Sequence, residues 1–227
     1  DGGSSWSAAA QFTTGGDSNK SPALWQLMDG TLWVVWHSYR SGNADIWYKT
    51  SGDGGAIWSP ESQLTTDPGS DEYPAITQAA DGTLWVAWQS YRSGNTDIWY
   101  KTSIDGGVMW SADSQLTTNL GWDYEPTVAQ AADGSLWVVW SRDGWLRYHT
   151  SSDGGTTWGP ESFIDGNCCY YSPSLTVAGD GVLWLASQRN NDIWYQTSSD
   201  NGTTWSTAQQ WTRFVGYDGY PDLAALS

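Results

Sequence analysis

Ser51-Gly-Asp-Gly-Gly-Ala-Ile-Trp58 is the stretch that decides the fold, because close variants of it recur along the chain. Its core, Asp-x-Gly-x-x-Trp, occurs five times, starting at Asp1, Asp53, Asp105, Asp153 and Asp200. Successive copies are separated by 52, 52, 48 and 47 residues. A near-constant spacing of this size indicates a chain built from repeated supersecondary units. Any function must therefore be placed relative to the repeat.

Each repeat contains four short segments with the composition of β-strands. An X-Pro step opens the first segment, at Ser21, Tyr73, Glu125, Ser172 and Tyr220. An Asp-Gly pair, a strong hairpin signal, separates it from a second segment of the type Leu-Trp-Val-Val-Trp. These segments are rich in Val, Ile, Trp, Tyr and Thr, and no window has helical apolar spacing. The sequence predicts an all-β fold, a β-propeller of four-stranded antiparallel blades.

The strand count gives four complete blades and the two outer parts of a fifth. We predict a single domain over residues 1–227, with complete blades at about 21–66, 73–118, 125–165 and 172–212. Residues 1–14 and 220–227 would supply the last and first strands of the partial blade. Its two middle strands, about 20 residues, have no counterpart. The fifth blade is abbreviated, or the chain is a fragment of a longer propeller, or subunits complete each other's ring. We expect five-bladed closure with an incomplete or shared fifth blade.

Composition and charge narrow the possible partners. The chain has 9 Lys and Arg residues against 25 Asp and Glu residues, a net charge of −16. Such a field repels nucleic acids and anionic surfaces, and no apolar run is long enough to insert into a membrane. The 19 Trp and 12 Tyr residues suit both a core and the stacking of sugar rings. The start at Asp1, without Met, is typical of a processed chain, and we expect an extracellular, secreted protein.

The repeated Ser-x-Asp-x-Gly-x-Thr-Trp turn resembles the Asp-box, or bacterial neuraminidase repeat, of sialidase-like and lectin-like propellers. The resemblance implies a turn between the third and fourth strands of each blade. In that family the Asp holds the turn backbone and the Trp packs between blades. By this likeness the turn carboxylates are structural, at Asp1, Asp53, Asp105, Asp153 and Asp200. A calcium site is the alternative, but one carboxylate per turn supplies too few oxygens.

The family resemblance places function on the face opposite these turns. The loops between second and third strands carry one Arg each and several Asn residues, the groups that bind sugar hydroxyls: Arg40, Asn43, Arg92, Asn95, Arg142, Arg189 and Asn190. The loops between blades carry aromatic residues that we expect to act as stacking platforms: Trp122, Tyr124, Tyr170 and Tyr217. The alternatives are that the Arg side chains bind carboxylates of neighbouring blades, and that the aromatic residues fill the central channel.

The sequence does not favour an enzyme. Sialidases of this family are expected to contain an Arg-Ile-Pro step and a Tyr–Glu nucleophile pair, and the chain has no Arg-Ile-Pro step. We find no pattern for a metal or a cofactor, and His37 is replaced by Gln89 in a nearly identical repeat. The adjacent Cys168 and Cys169 could form a vicinal disulfide or remain free thiols.

The sequence therefore predicts a secreted, non-catalytic, lectin-like propeller that binds a carbohydrate or glycoconjugate. The alternatives are a sialidase-like glycoside hydrolase, or a fragment of one, and a structural module that assembles into a homo-oligomer completing the partial blade.

Overall fold

The computed structural model describes residues 4–14, 18–164, 170–213 and 216–224. Asp1, Cys168 and Cys169 lie outside these ranges. Within them, sixteen strands form four antiparallel sheets of four consecutive strands each. The first sheet contains β1 (Asn19–Gln26), β2 (Leu32–Ser38), β3 (Asp45–Ser51) and β4 (Ser62–Gln63), and the second contains β5 (Asp71–Gln78), β6 (Leu84–Ser90), β7 (Asp97–Ser103) and β8 (Ser114–Gln115). The third contains β9 (Tyr124–Gln130), β10 (Leu136–Arg142), β11 (Trp145–Ser151) and β12 (Ser162–Phe163), and the fourth contains β13 (Tyr170–Val177), β14 (Leu183–Arg189), β15 (Asp192–Ser198) and β16 (Gln209–Gln210).

These sheets are the blades of a propeller, so the predicted fold class is confirmed. The innermost strands contact one another in the order β1, β5, β9, β13. Three apolar cores lie between consecutive blades, and each is built around buried Trp and branched aliphatic side chains. The described part of the chain has no helix that is long and apolar enough to cross a membrane.

The innermost strands begin two residues before the predicted X-Pro starts in blades 1, 2 and 4, and one residue before it in blade 3. The pairing register shifts around each X-Pro step, which marks a β-bulge. A bulge leaves a residue unpaired, so the missing N–H of proline is tolerated inside the strand. The residue before the proline has a positive φ of 50–56° at all five steps, at Ser21, Tyr73, Glu125, Ser172 and Tyr220.

The repeated turn lies between the third and fourth strands, at one end of each blade. In the first complete copy the Ser51 hydroxyl donates to Asp53 Oδ1 at 2.7 Å and accepts the Gly55 N–H at 2.9 Å. The Ile57 N–H donates to the same Asp53 oxygen at 2.9 Å. The other three described copies repeat these bonds. Each carboxylate is thus used to hold its own turn.

Hydrogen bonds to the turn carboxylates also lower their pKa values. The Thr157 hydroxyl and backbone N–H lower the pKa of Asp153 to about 2, and Thr204 does the same for Asp200. The pKa values of Asp53 and Asp105 are lowered mainly by the backbone N–H groups of Ile57 and Met109. These side chains are therefore ionised in the folded protein at neutral pH.

A glycine in three of the described turns lies against an indole of the preceding blade. A Cβ on Gly107, Gly155 or Gly202 would overlap the indole of a tryptophan in the preceding blade, which is Trp33, Trp85 or Trp137. The turn tryptophans contact the same indoles edge-on, with centroids 5.9–6.1 Å apart. The corresponding Gly55 has no preceding complete blade, and the nearest atoms to its Cβ position are 3.6 Å away.

Gly55 and Gly155 therefore provide a matched test of this contact. Both have a left-handed backbone, with φ of +92° and +81°, so alanine costs each site about 1 kcal/mol through the backbone. At Gly155 alanine must also displace the Trp85 indole, which adds about 1–3 kcal/mol. We expect Gly155→Ala to lower the free energy of unfolding clearly more than Gly55→Ala in urea titrations. Equal losses would show that the indole contact does not hold the blades together.

Both ends of the described chain occupy positions that a fifth blade would use. Lys49 Nζ donates to the Phe12 carbonyl at 2.9 Å, just as Lys101 Nζ donates to the Leu64 carbonyl at 3.1 Å. At the other end, the Leu223 N–H donates to Ser174 Oγ at 2.9 Å. This bond repeats the one from Leu175 N–H to Thr127 Oγ1 at 3.1 Å in the previous blade. At this fifth position in the ring, the described residues form no strand that would join the N-terminal segment to the C-terminal segment. A fifth blade therefore remains a prediction.

The blades on either side of this position expose residues that are buried elsewhere. Leu24 is 61% exposed, whereas its counterparts Ile76, Val128 and Leu175 are 4–5% exposed. On the other side, Trp211 is 57% exposed, while its counterparts Leu64 and Ile164 are each 8% exposed. Two apolar core positions thus lack the covering that a neighbouring blade gives their equivalents.

Candidate ligand-binding face

The candidate site lies at the end of the propeller opposite the repeated turns. The X-Pro steps pair with the ends of the second strands, so they lie at the same end as the loops between second and third strands. The X-Pro steps surround a cavity of about 540 Å³, a size typical of small-ligand sites. Five X-Pro steps contribute to its lining, including Tyr220-Pro221 from the C-terminal segment. The cavity therefore lies on the propeller axis.

The positive φ values at the X-Pro steps are concentrated around this cavity. A left-handed backbone costs a non-glycine residue about 1–2 kcal/mol, and such strain is often kept at functional sites. The framework on either side of the step is repeated, but the residue with the strained backbone varies from one repeat to the next. We did not predict these residues as ligand contacts because the X-Pro step was interpreted only as a strand start. The variation at a fixed repeat position was the available signal: Ser21, Tyr73, Glu125, Ser172 and Tyr220.

The N–H groups of three of these residues are satisfied by neighbouring side chains. The Tyr73 N–H donates to His37 Nδ1 at 3.3 Å, and the Glu125 N–H donates to Gln89 Oε1 at 2.9 Å. Gln89 and His37 occupy the same repeat position, and each accepts the backbone N–H of the residue before proline in the following blade. In the next blade the Ser172 N–H donates instead to Glu125 Oε2 at 2.9 Å.

The predicted arginine contacts are held within their own blades. Arg92 Nη2 donates to Asp71 Oδ2 at 2.7 Å, and Arg92 Nη1 donates to Asp113 Oδ2 at 2.7 Å. Arg142 donates from Nε to Asp123 Oδ1 at 2.6 Å and from Nη1 to Glu161 at 2.8 Å. Burial raises the pKa of Asp123 despite this ion pair. Each arginine thus joins the innermost strand region of a blade to its outermost strand region.

The first blade has the same arrangement with different partners, whereas the arginine of the fourth blade is hydrogen-bonded to the innermost strand. Arg40 bonds to Asn19 Oδ1 at 2.8 Å and to the Glu61 carboxylate, and its guanidinium stacks on Trp47. Arg189 Nη1 donates to the Tyr170 hydroxyl at 3.0 Å. The alternative of arginine–carboxylate bonds thus describes three of the four arginines, but the carboxylates are in the same blade rather than in a neighbouring one. Ligand binding by Arg40, Arg92, Arg142 and Arg189 remains a prediction.

Two of the predicted asparagines hold the loops between blades. Asn43 Nδ2 donates to the carbonyl oxygens of Asp67 and Gly69 at 2.9 and 3.0 Å. Asn95 Nδ2 donates to the carbonyl oxygens of Asn119 and Gly121 at 2.9 and 2.8 Å. Asn190 is exposed in a tight turn, with φ of 53°.

The aromatic predictions divide into exposed and buried side chains. Trp122 is 52% exposed and Tyr217 is 61% exposed, and Tyr124 is half-buried with its ring 6.2 Å from that of Trp122. Tyr170 is only 1% exposed, so the structure corrects its assignment as a stacking platform. Side chains alternate between the two faces of a strand, and the exposed residue is its neighbour Tyr171.

Two exposed tyrosines that we did not predict extend this aromatic surface. Tyr91 is 52% exposed and lies 6.3 Å, centroid to centroid, from Trp122. Tyr39 is 39% exposed, and its hydroxyl is hydrogen-bonded to the Glu72 carboxylate. This bond raises the pKa of Tyr39 to about 12, because a phenolate would lie beside a negative charge. Both residues follow the second strand of their blade, next to the arginines that drew attention in the sequence.

The environment of His37 makes the stability of this end of the propeller depend on pH. His37 is 1% exposed, and burial lowers its pKa below 6.5, with Lys20 acting in the same direction and Glu72 opposing. The unfolded chain therefore binds the proton more readily than the folded one. The stabilisation is fully present above pH 6.5 and is lost as the pH falls below that value. The neutral ring is also the form that can accept the Tyr73 N–H at Nδ1.

His37→Gln tests this assignment, because Gln89 shows that glutamine can accept the equivalent N–H. We expect the stability of the wild type relative to His37→Gln to be greatest at pH 7.5 and to decrease at pH 5.5. Urea unfolding at the two pH values measures this difference directly. If the difference in free energy of unfolding between the two proteins were the same at both pH values, His37 would not be the source of the pH dependence.

The described residues contain no group of three or more His, Cys, Asp or Glu side chains able to hold a metal ion. No family model matches the sequence, and no curated protein matches it.

Solved structures similar to this chain are propellers from sialidases and an arabinanase. The chain aligns with the NanB sialidase from Streptococcus pneumoniae at a TM-score of 0.73 and 14% identity, covering 89% of this chain and 54% of that one. It aligns with the leech intramolecular trans-sialidase at a TM-score of 0.73 and 13% identity, covering 85% and 51%. The values for the α-L-arabinanase from Penicillium chrysogenum are 0.68, 20%, 85% and 66%. The chain thus spans about half the length of the two sialidases, and these likenesses establish a sialidase-like propeller fold.

Proposed function

We propose that this chain is a non-catalytic carbohydrate-binding propeller, secreted from the cell, that binds sugars at the axial cavity and the aromatic surface around it. The observation that carries the proposal is the cavity itself. It is lined by tyrosine, serine and carboxylate side chains on a strained backbone, next to exposed Tyr and Trp residues. Aromatic faces bind the apolar faces of pyranose rings, and the hydroxyl and carboxylate groups bind sugar hydroxyls. The arabinanase in the comparison was solved in complex with arabinobiose, which agrees with a glycan ligand on this fold.

The carbohydrate proposal is tested by binding of the protein to a glycan array, followed by calorimetry on the glycans that bind. We expect Tyr73→Ala and Tyr220→Ala each to weaken affinity about tenfold, because each removes an aromatic wall of the cavity. Trp122→Ala should weaken the binding of longer oligosaccharides more than that of short ones, because Trp122 is exposed and lies outside the cavity lining.

Ile104→Ala is the matched control for these variants, because Ile104 is 86% exposed on the opposite end of the propeller. It should bind like the wild type. A protein that binds no glycan, or variants that bind like the control, would overturn the proposal.

A sialidase-like hydrolase is the second candidate, favoured by the hydrogen bond between Tyr39 and Glu72. A tyrosine nucleophile must lose its proton, and the raised pKa of Tyr39 opposes this. The guanidinium groups of Arg92 and Arg142, which could bind an acidic sugar, are already paired with carboxylates. Turnover of a fluorogenic sialoside that is lost in Tyr39→Phe would establish this second function in place of the first.

A homo-oligomer that completes the partial blade is the third candidate. The exposed Leu24 and Trp211 favour it, because their counterparts in the other blades are covered. We expect native mass spectrometry to detect a multimer that dissociates in the Leu24→Asp variant. A stable monomer in the wild type would remove this candidate without affecting the sugar-binding proposal.

A further inference from the structure

We infer, resting on the carbohydrate-binding proposal, that the axial cavity selects sugars carrying a protonated amino group, with the Glu125 carboxylate as the counter-charge. The proposal deepens the function by naming a ligand class, amino sugars with a free ammonium. Three features of the cavity lead to it: an oriented carboxylate, two tyrosine walls and the placement of the nearest lysine.

The Glu125 carboxylate is held in position at the edge of the cavity. The Ser172 N–H and the Ser172 hydroxyl both donate to Glu125 Oε2, each at 2.9 Å. The left-handed backbone at Glu125, with φ of 54°, is fixed by the bulge and by the bond from its N–H to Gln89. The side chain is half-buried, and it makes no ion pair with any residue in the described part of the chain. A carboxylate that is fixed in orientation but is not neutralised by an ion pair can accept a charge-assisted hydrogen bond from a ligand.

The tyrosine walls suit a cation. Tyr73 and Tyr220 line the cavity together with Glu125. Burial raises the pKa of both phenols, and the negative charge of Glu125 raises them further. The phenols therefore stay neutral and can present both a π-face and a hydroxyl acceptor to an ammonium group. A carboxylate beside aromatic faces attracts an ammonium more strongly than it attracts a neutral hydroxyl.

The other charges at the cavity support the same selectivity. Lys20 lines the cavity, but its ammonium lies over the Tyr39 ring, 5.7 Å from the centroid, at the seam between blades 1 and 2. Glu72 is at the same seam, bonded to Tyr39 and Gln89. Asp222 is the second carboxylate in the lining, and it is exposed. With the net charge of −16, the field at this mouth favours a cationic ligand.

The inference is tested by binding of two oligosaccharides with the same sugar backbone, β-1,4-linked tri-glucosamine, which has free amines, and its fully N-acetylated form, which is neutral. Binding is measured at about pH 6, where a free amine is protonated and a carboxylate is ionised. We expect the wild type to bind the free amine at least about tenfold more tightly in calorimetry. Glu125→Gln should reduce this preference to about onefold, because the amide can still accept the Ser172 hydrogen bonds but carries no charge. Asp222→Asn should reduce it less.

The control is Asp81→Asn, which neutralises one carboxylate in a hairpin turn at the other end of the propeller. It should keep the wild-type preference. An equal loss in Asp81→Asn and Glu125→Gln would overturn the inference, because the whole-protein field would then explain the selectivity. Equal binding of the two sugars, or tighter binding of the acetylated one, would overturn the inference and leave the carbohydrate proposal standing. Binding of neither sugar, and of no glycan on the array, would overturn both.

Discussion

Each complete blade after the first rests on the one before it through a glycine that has no room for a side chain. Gly107, Gly155 and Gly202 lie against the indoles of the preceding blades. This contact requires a left-handed turn, and the Ser and Asp of the turn supply the bonds that hold it. The second and third blades each supply one indole to the following blade and one glycine to the preceding blade, which is why the motif recurs once per blade. The repeated carboxylates are consequently committed to the framework and are not free for chemistry.

A second constraint, at the opposite end of the blades, directs recognition away from the arginines. Arg40, Arg92 and Arg142 each reach from their loop to the innermost and outermost regions of their own blade, and Arg142 is 3% exposed as a result. A ligand that took this guanidinium would leave the buried Asp123 carboxylate without its counter-charge, which costs several kcal/mol. The residues before the prolines and the exposed tyrosines do not neutralise a buried charge in this way. The sugar-binding site that we propose is therefore placed at the axis and on the aromatic surface around it.

The sequence was sufficient to predict the strands, the blades and the role of the turn carboxylates, because these depend on local patterns that repeat. It did not identify the arginine partners, since Asp71 and Arg92 are 21 residues apart and only the sheet register brings them together. The choice between Tyr170 and Tyr171 failed for a similar reason, because a shift of one residue exchanges the two faces of a strand. The cavity residues were overlooked because the bulge and the positive φ at Tyr73 and Glu125 are properties of the backbone that an X-Pro pair does not specify.

The axial cavity depends on a segment with few attachments. Tyr220 lines the cavity as part of residues 216–224, whose bonds to the fourth blade include those from Leu223 to Ser174 and from Tyr217 to Gln188. The apparent affinity of a ligand that needs Tyr220 falls in proportion to the fraction of molecules in which this segment is docked. A neighbour that supplied the two missing middle strands would cover the exposed Leu24 and Trp211 and pack against this segment, and it would therefore favour docking. In the function that we propose, completion of the fifth position and sugar binding are therefore linked, and each strengthens the other by the same factor.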